Sequence, residues 1–284
     1  MSPSSAPNIW IDDRFLPEAA AKLQHVLNYP RLSQATSQHP YQPKIDTLLG
    51  WQTSDDLQPK LSLFPAQSGA VCIDFLTGKK AHRRQFGGGM GQPLVRAMGR
   101  IESRLPTVFD ATAGMGADAF VLASLGFEVW MNERSPLIAA LIADGLARAQ
   151  HADELDADSQ AIFRRMRLSQ GDSALQMQTL NPAPETIYLD PMYPEKKKRA
   201  ATKKEMAVLQ QLIGPDLDSS RLLDAALNTA QYRVVVKRPK GAEPIAHPIQ
   251  PSATIDSPNT RYDLYAIKAL QEHIQKLKRP LTQV

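Results

Sequence analysis

The sequence predicts an α/β protein: a Rossmann-like, mostly parallel sheet preceded by a small α/β extension. Three stretches carry this reading. The first is Thr107-Val-Phe-Asp110-Ala-Thr-Ala-Gly114-Met-Gly116-Ala-Asp118, an apolar run that breaks into small residues and enters an apolar helix over 119–125. The second is a strand over 127–132 closed by Glu133, with Pro136 opening a helix that reaches Gln150. The third is the apolar strand 186–189, which runs into Asp190-Pro191-Met192-Tyr193-Pro194. Apolar strands alternating with helical segments are the pattern of a parallel sheet covered by helices.

The first two stretches carry binding chemistry. Gly114 and Gly116 let the backbone approach a ligand closely, and the free N–H groups and dipole of the following helix favour an anionic group. The three-glycine fingerprint of dinucleotide folds is absent, so the bare G-x-G turn is by itself also readable as an ordinary strand-to-helix connection. Glu133 closes the second strand about 20 residues beyond the turn, where open α/β folds hold a ribose by its hydroxyls. Together the two mark an adenosine site. Nicotinamide cofactors and S-adenosylmethionine both carry adenosine, and the pair of signals does not separate them.

The 284 residues and 43% hydrophobic content suffice for one large α/β domain with an appendage, or for two small domains that fold unaided. Cys72 is the only cysteine, which excludes an intrachain disulfide. A basic-then-apolar leader and a run of roughly 18 apolar residues are both missing, which predicts a cytoplasmic protein. The net charge of +4 says little globally, but the basic residues cluster.

In chain order, residues 1–68 read as a small α/β subdomain and 69–284 as the main domain. The first part holds a strand at 9–11, a helix at 17–27 and strands at 47–52 and 60–64, separated by proline, serine and glutamine. It shows no convergent polar chemistry, so it reads as a cover for the sheet edge or a platform for substrate. A strand over 71–76 leads to Thr77-Gly78-Lys79-Lys80-Ala-His82-Arg83-Arg84-Gln-Phe86-Gly87-Gly88-Gly89, then to a helix over 93–104. Cations beside consecutive glycines at a helix N-terminus suit a phosphate, whereas a basic loop alone is more often only solvated.

An acidic surface insert over 151–158 precedes a third strand, 166–169, ending in Gly171-Asp172-Ser173. Asp172 is there either a ligand group on the same sheet edge as Glu133 or a helix N-cap. Helices follow at 204–213 and 219–229, then a strand at 232–239. Strands 253–256 and 261–267 form an antiparallel hairpin that closes a seven-stranded sheet, and a basic, frayed tail ends the chain.

Asp190-Pro191-Met192-Tyr193-Pro194 holds one carboxylate, the adjoining carbonyl and one aromatic ring in a rigid relation, because two prolines restrict the backbone. Methylation of an exocyclic amine needs this. The lone pair of such an amine is delocalised into its ring. Hydrogen bonds from its N–H groups to a carboxylate and a carbonyl orient the lone pair, while the aromatic ring stacks on the base. An Asp-Pro turn after a strand is also common in unrelated proteins. Directly after it, Lys196-Lys197-Lys198-Arg199 and Lys203-Lys204 set six cations against Glu195, an electrostatic footprint for a phosphate backbone or a merely solvated run.

Asp110-Ala-Thr-Ala-Gly-Met-Gly, Glu133-Arg134, Asp190-Pro-Met-Tyr-Pro, Val234-Val-Val-Lys-Arg-Pro and the stretch from Asp74-Phe to His82-Arg-Arg-Gln-Phe-Gly-Gly-Gly together resemble the ribosomal small subunit methyltransferase J family. The resemblance spans roughly residues 71–267, and the first 65 residues match poorly. It implies a class I methyltransferase fold with S-adenosyl-L-methionine as cofactor. The activity implied is N2 methylation of guanine 1516 in 16S rRNA, and the partner is that rRNA or the small ribosomal subunit, with no metal or membrane involved.

By this resemblance Ala117, Asp118, Glu133, Arg134, Asp172, Ser173 and Asp190 correspond to cofactor-contacting positions, beside Asp110, Gly114 and Gly116 of the turn. Asp190, Pro191 and Tyr193 form the catalytic set. His82, Arg83, Arg84, Lys196, Lys197, Lys198 and Arg199 are the RNA-binding set. The family often has Phe where Tyr193 sits, which keeps the stacking face, and Arg where Ala117 sits, which leaves only backbone contacts. The rival readings are an N6-adenine methyltransferase acting on DNA or another RNA, and a non-catalytic RNA-binding assembly factor. An NAD-dependent oxidoreductase is disfavoured by the missing third glycine and the lack of a hydride-transfer constellation.

Overall fold

A computed structural model of the chain describes residues 8–54, 57–66, 68–76, 89–152, 155–192 and 218–268. In chain order the elements are β1 (Ile9–Ile11), α1 (Pro17–Leu27), β2 (Thr47–Ser54), β3 (Leu57–Pro65), β4 (Val71–Cys72), α2 (Pro93–Met98), β5 (Val108–Asp110) and α3 (Ala117–Ser124). Then come β6 (Val129–Glu133), α4 (Pro136–Gln150), α5 (Ala157–Arg164), β7 (Met166–Gln170), α6 (Ser173–Met177) and β8 (Thr186–Leu189). The last are α7 (Ser219–Thr229), β9 (Arg233–Pro239), β10 (Ala253–Asp256) and β11 (Thr260–Ala266). Two compact units result, one of Met1–Leu76, Ser135–Glu154 and Met192–Pro215, the other of Thr77–Arg134, Leu155–Pro191 and Asp216–Val284.

The first unit holds a four-stranded sheet in the order β1-β2-β3-β4, parallel between β1 and β2 and antiparallel elsewhere. Helix α1 starts with Pro17 and ends at Asn28, whose φ of 56° is the left-handed cap conformation. Helix α4 starts from Ser135, whose side chain accepts the Ile138 N–H, and has Pro136 in its first turn. It packs on β3 through a polar clasp. Asp144 accepts the Leu61 N–H at 3.1 Å and Arg148 Nε at 2.9 Å, while Arg148 donates to the Ile73 carbonyl at 2.5 Å. The strand expected over 71–76 stops at Cys72. Asp74 accepts the Leu76 N–H at 2.9 Å and pairs with Lys60 at 2.6 Å, so the chain takes an Asp-stabilised turn in place of further ladder.

The second unit holds the predicted seven-stranded sheet, in the order β10-β11-β9-β8-β5-β6-β7. Strands β9, β8, β5, β6 and β7 run parallel, β11 pairs antiparallel with β9, and β10 pairs antiparallel with β11. Every residue of β5 and β8 is buried, as expected of central strands covered on both faces. Phe109, Ile187, Leu189, Val234, Val236 and Tyr265 form one core with Leu223 of α7. Burying such a side chain contributes about 1.5–3 kcal/mol, and this fixes the strand register from which the loops at the carboxyl ends project. Phe120 of α3 stacks on Phe163 of α5 with ring centroids 6.0 Å apart.

Three further stretches differ from expectation. The helix expected over 93–104 ends at Met98, because Gly99 adopts φ +76° and a Cβ there would lie 2.7 Å from Arg233 Cζ. The second strand begins at Val129, after the φ +98° turn at Gly126. Part of the acidic stretch 151–158 is structural: Asp156 accepts the Ser159 N–H at 2.7 Å and caps α5. The helix expected over 204–213 and the tail from 269 lie outside the described residues. Among the described residues, no helix is long and apolar enough to cross a membrane.

Candidate active site

The parallel register brings the carboxyl ends of five strands to one edge of the sheet: Asp110 pairs with Met131 and Tyr188, Glu133 with Gln170, and Leu189 with Val236. In the turn after β5, Gly114 and Gly116 adopt φ of +53° and +67°, and Gly116 is the N-cap of α3. The nearest atom to a Cβ built on Gly114 is the Thr112 carbonyl oxygen at 3.9 Å, so that side of the turn is open. Glu133 is 7% exposed and its Oε2 accepts the Gly114 N–H at 2.9 Å. The carboxylate that closes β6 and the glycine turn that follows β5 are thus joined directly. Glu133 shapes the turn.

Asn132 is fully buried and ties three strand ends together. Its Nδ2 donates to the Gly171 carbonyl at 2.8 Å and to Ser173 Oγ at 2.6 Å, and its Oδ1 accepts from Ser169 Oγ at 2.8 Å. Ser173 in turn donates to the Ala111 carbonyl at 2.6 Å. Asn132 was passed over in the sequence, although an amide inside an otherwise apolar strand is the available signal. Asp172 is the N-cap of α6, accepting the Leu175 N–H at 3.0 Å, and its other oxygen takes Arg221. The Arg221 guanidinium holds the Asp172 carboxyl below the usual carboxylate range. Arg221 also pairs with Asp218 at 3.1 Å, and Asp218 with Arg134 at 3.2 Å. Asp172 and Arg134 remain 39% and 41% exposed.

At the end of β8, Asp190 joins a cluster of charged groups from α3 and β9. The Asp190 N–H donates to Thr112 Oγ1 at 2.6 Å, and its Oδ2 receives Lys237 Nζ at 2.8 Å. Lys237 donates equally to Asp118 Oδ2 at 2.7 Å, the atom that also accepts the Tyr188 hydroxyl at 2.7 Å. Side-chain exposure rises outward, from 14% at Asp118 through 22% at Lys237 to 38% at Asp190. Burial opposes the Lys237 charge, but Asp190 and Asp118 outweigh it and its pKa rises, so it stays an ammonium. Burial also raises the Tyr188 phenol well above its ordinary value, which keeps it a donor.

Asp110 is 2% exposed and accepts the Thr112 N–H at 3.1 Å, so its side chain presents almost no surface to a ligand. Burial, reinforced by Asp118 and Asp190, pushes its pKa up to about 8. It is therefore mostly neutral at pH 7, and Asp118 and Asp190 face one ammonium. Lys237 had figured in the sequence only within a motif. The signal in the sequence is a cation directly after the apolar run Val234-Val235-Val236. Ala117 opens α3 with no polar side chain, and Pro191 is buried. His82, Arg83, Arg84, Tyr193, Lys196, Lys197, Lys198 and Arg199 lie outside the described residues.

Comparison with known proteins gives this site a context. The family described as "Putative SAM-dependent methyltransferase" matches residues 37–267. Ribosomal RNA small subunit methyltransferase J of Hydrogenovibrio crunogenus is 55% identical over 279 residues, covering 95% of this chain and 98% of that protein. The protein of the same name from Aeromonas salmonicida is 50% identical over 202 residues, covering 71% of this chain and 80% of its own. A crystal structure of a SAM-dependent methyltransferase from Neisseria gonorrhoeae aligns with a TM-score of 0.65 at 33% identity, over 91% of this chain and 96% of that one. The residues present fit S-adenosylmethionine: an open glycine turn, a carboxylate placed for a ribose diol, and partly exposed carboxylates on the same edge that favour a sulfonium cation.

Proposed function

This chain belongs to the ribosomal RNA small subunit methyltransferase J family, and from that premise we propose that it methylates the exocyclic N2 of a guanine in 16S rRNA, with Asp190 as the residue that receives the amine. The observation that supports this most is the Asp190 carboxylate, 38% exposed at the end of β8 and anchored on one oxygen by Lys237. Glu133, Gly114 and Gly116 hold the nucleoside end of the cofactor, and Arg134, Asp172 and Ser173 line the same edge. When bound, S-adenosylmethionine supplies an electrophilic methyl group, which the amine lone pair takes as the carbon–sulfur electron pair returns to sulfur.

Asp190 accepts a hydrogen bond from the guanine amine, which turns the nitrogen lone pair out of conjugation and toward the methyl group. The adjoining backbone carbonyl accepts the second N–H, and the Tyr193 ring stacks on the base. The excess proton on the methylated nitrogen leaves to solvent or through the Asp190 carboxylate. Phosphate contacts from Lys196, Lys197, Lys198 and Arg199, with His82, Arg83 and Arg84, hold the RNA. The test is to supply labelled S-adenosylmethionine and small ribosomal subunits, or their naked rRNA, from cells lacking the protein, and to analyse the digested nucleosides. Labelled N2-methylguanine is expected. N6-methyladenine would overturn the guanine assignment, and the absence of any labelled nucleoside would overturn the activity.

A further inference from the structure

We propose that Lys237 is a positioning residue for methyl transfer: its ammonium, clamped between Asp118 and Asp190, fixes the direction from which Asp190 receives the substrate amine. The inference rests on the reading of Asp190 given under Proposed function. Lys237 reaches this place through the sheet. Strand β9 runs parallel to β8 with Val236 opposite Leu189, so Lys237 in β9 and Asp190, the first residue past β8, come to the same edge.

The clamp is built from the inside outward. The buried Tyr188 hydroxyl and Lys237 Nζ converge on one oxygen of Asp118, each at 2.7 Å. This holds the inner end, and the same ammonium reaches Asp190 at 2.8 Å. The outer carboxylate is the most exposed of the three charged groups. An Asp carboxylate can otherwise turn about χ1 and χ2 among several wells. Anchoring one of its oxygens, together with the bond from its own N–H to Thr112 Oγ1, restricts where the other can accept a hydrogen bond.

Exposed ion pairs contribute little to stability, and a lysine on a protein surface is usually only that. Lys237 differs in being largely enclosed, in pairing with two carboxylates, and in having its inner partner locked by a buried phenol. Misplacing a catalytic group by about 1 Å can cost on the order of 100-fold in rate, so the clamp acts on the turnover step more than on binding.

The experiment measures methyl transfer to small ribosomal subunits by the full chain, alongside calorimetric affinity for S-adenosylhomocysteine. Lys237→Met should lower kcat by roughly 10- to 100-fold, with the KM for RNA and the calorimetric affinity changed by less than about threefold. Lys237→Arg, which keeps the charge, should recover most of the loss. In an Asp190→Asn background, Lys237→Met should add little further loss, because the group it positions is already gone. Parent-like kcat in Lys237→Met, or full additivity with Asp190→Asn, would overturn the role and leave the methyltransferase reading standing. Lys237→Gln serves if Lys237→Met does not fold, and parent-like kcat there overturns the role equally. A parent protein that methylates no rRNA amine removes the reading and this role together.

Discussion

Asp190, Glu133 and Asp110 are three carboxylates on one edge of a sheet, and their surroundings give them three different tasks. Asp190 is partly exposed and anchored, so Asp190→Ala should lower methyl transfer by roughly 100-fold or more while RNA affinity, set mostly by phosphate contacts, changes little. Full activity in that variant would sink the mechanism. Glu133 is nearly buried and braces the Gly114 N–H, so Glu133→Ala should weaken S-adenosylmethionine binding by about 1.5–3 kcal/mol, the range for a hydrogen bond to a charged group. Calorimetry on the folded variant measures it, and unchanged affinity would remove Glu133 from the site. Asp110 is buried, with its pKa raised from 3.8 to about 8. Between these values the folded protein keeps a proton that the unfolded chain has released. Its contribution to stability therefore falls as pH rises, by at most about 1.4 kcal/mol per pH unit, and levels off above 8. Asp110→Asn should flatten that part of the stability profile in denaturant titrations at a series of pH values, and an unchanged slope would show that Asp110 titrates elsewhere.

At the scale of elements, helix α4 shows how a local rule and its tertiary context compete. In an isolated helix, replacing Gly145 with Ala would gain about 1 kcal/mol of propensity. Here the new Cβ would lie 2.7 Å from the Ile73 carbonyl oxygen and 3.0 Å from Ile73 Cγ2, and a backbone atom cannot step aside. Overpacking of this kind costs typically about 1–3 kcal/mol, so Gly145→Ala should be net destabilising in equilibrium unfolding. A more stable variant would mean that α4 can move away from Ile73 without cost. The same competition explains which elements were legible. The start of α4 was readable from Pro136, since that residue acts locally. The early end of α2 was not, because Gly99 is read correctly only once Arg233, far along the chain, lies against it. The strand expected over 71–76 failed for a similar reason: its apolar pattern is genuine, but Asp74 spends its carboxylate on the Leu76 N–H and Lys60.

For the whole molecule, the net charge of +4 is modest, and association with RNA should depend on where the cations sit. Affinity for rRNA should fall steeply with salt, and charge reversal at Lys197 and Lys198 should flatten the dependence of log affinity on log salt by roughly one to two phosphate contacts. Filter binding across a salt series tests this, and an unchanged slope and affinity would make the basic run a solvated face. The strand order was not legible from the sequence, whereas the seven-stranded sheet with its closing hairpin, the glycine turn, and the strand-end positions of Glu133 and Asp190 were. Each announces itself through neighbours in the chain: an apolar run to a strand end, a glycine pair, an Asp-Pro step. What only the tertiary structure decided was the partnership among those groups. Tyr188, Asp118, Asp190 and Lys237 are spread over 120 residues of sequence, and Asn132 reaches Gly171 and Ser173 across a strand gap. Hydrogen bonds and ion pairs of this kind depend on distances of a few ångströms between strands. Those distances are set by the sheet register and the buried core, so no local pattern in the chain encodes them.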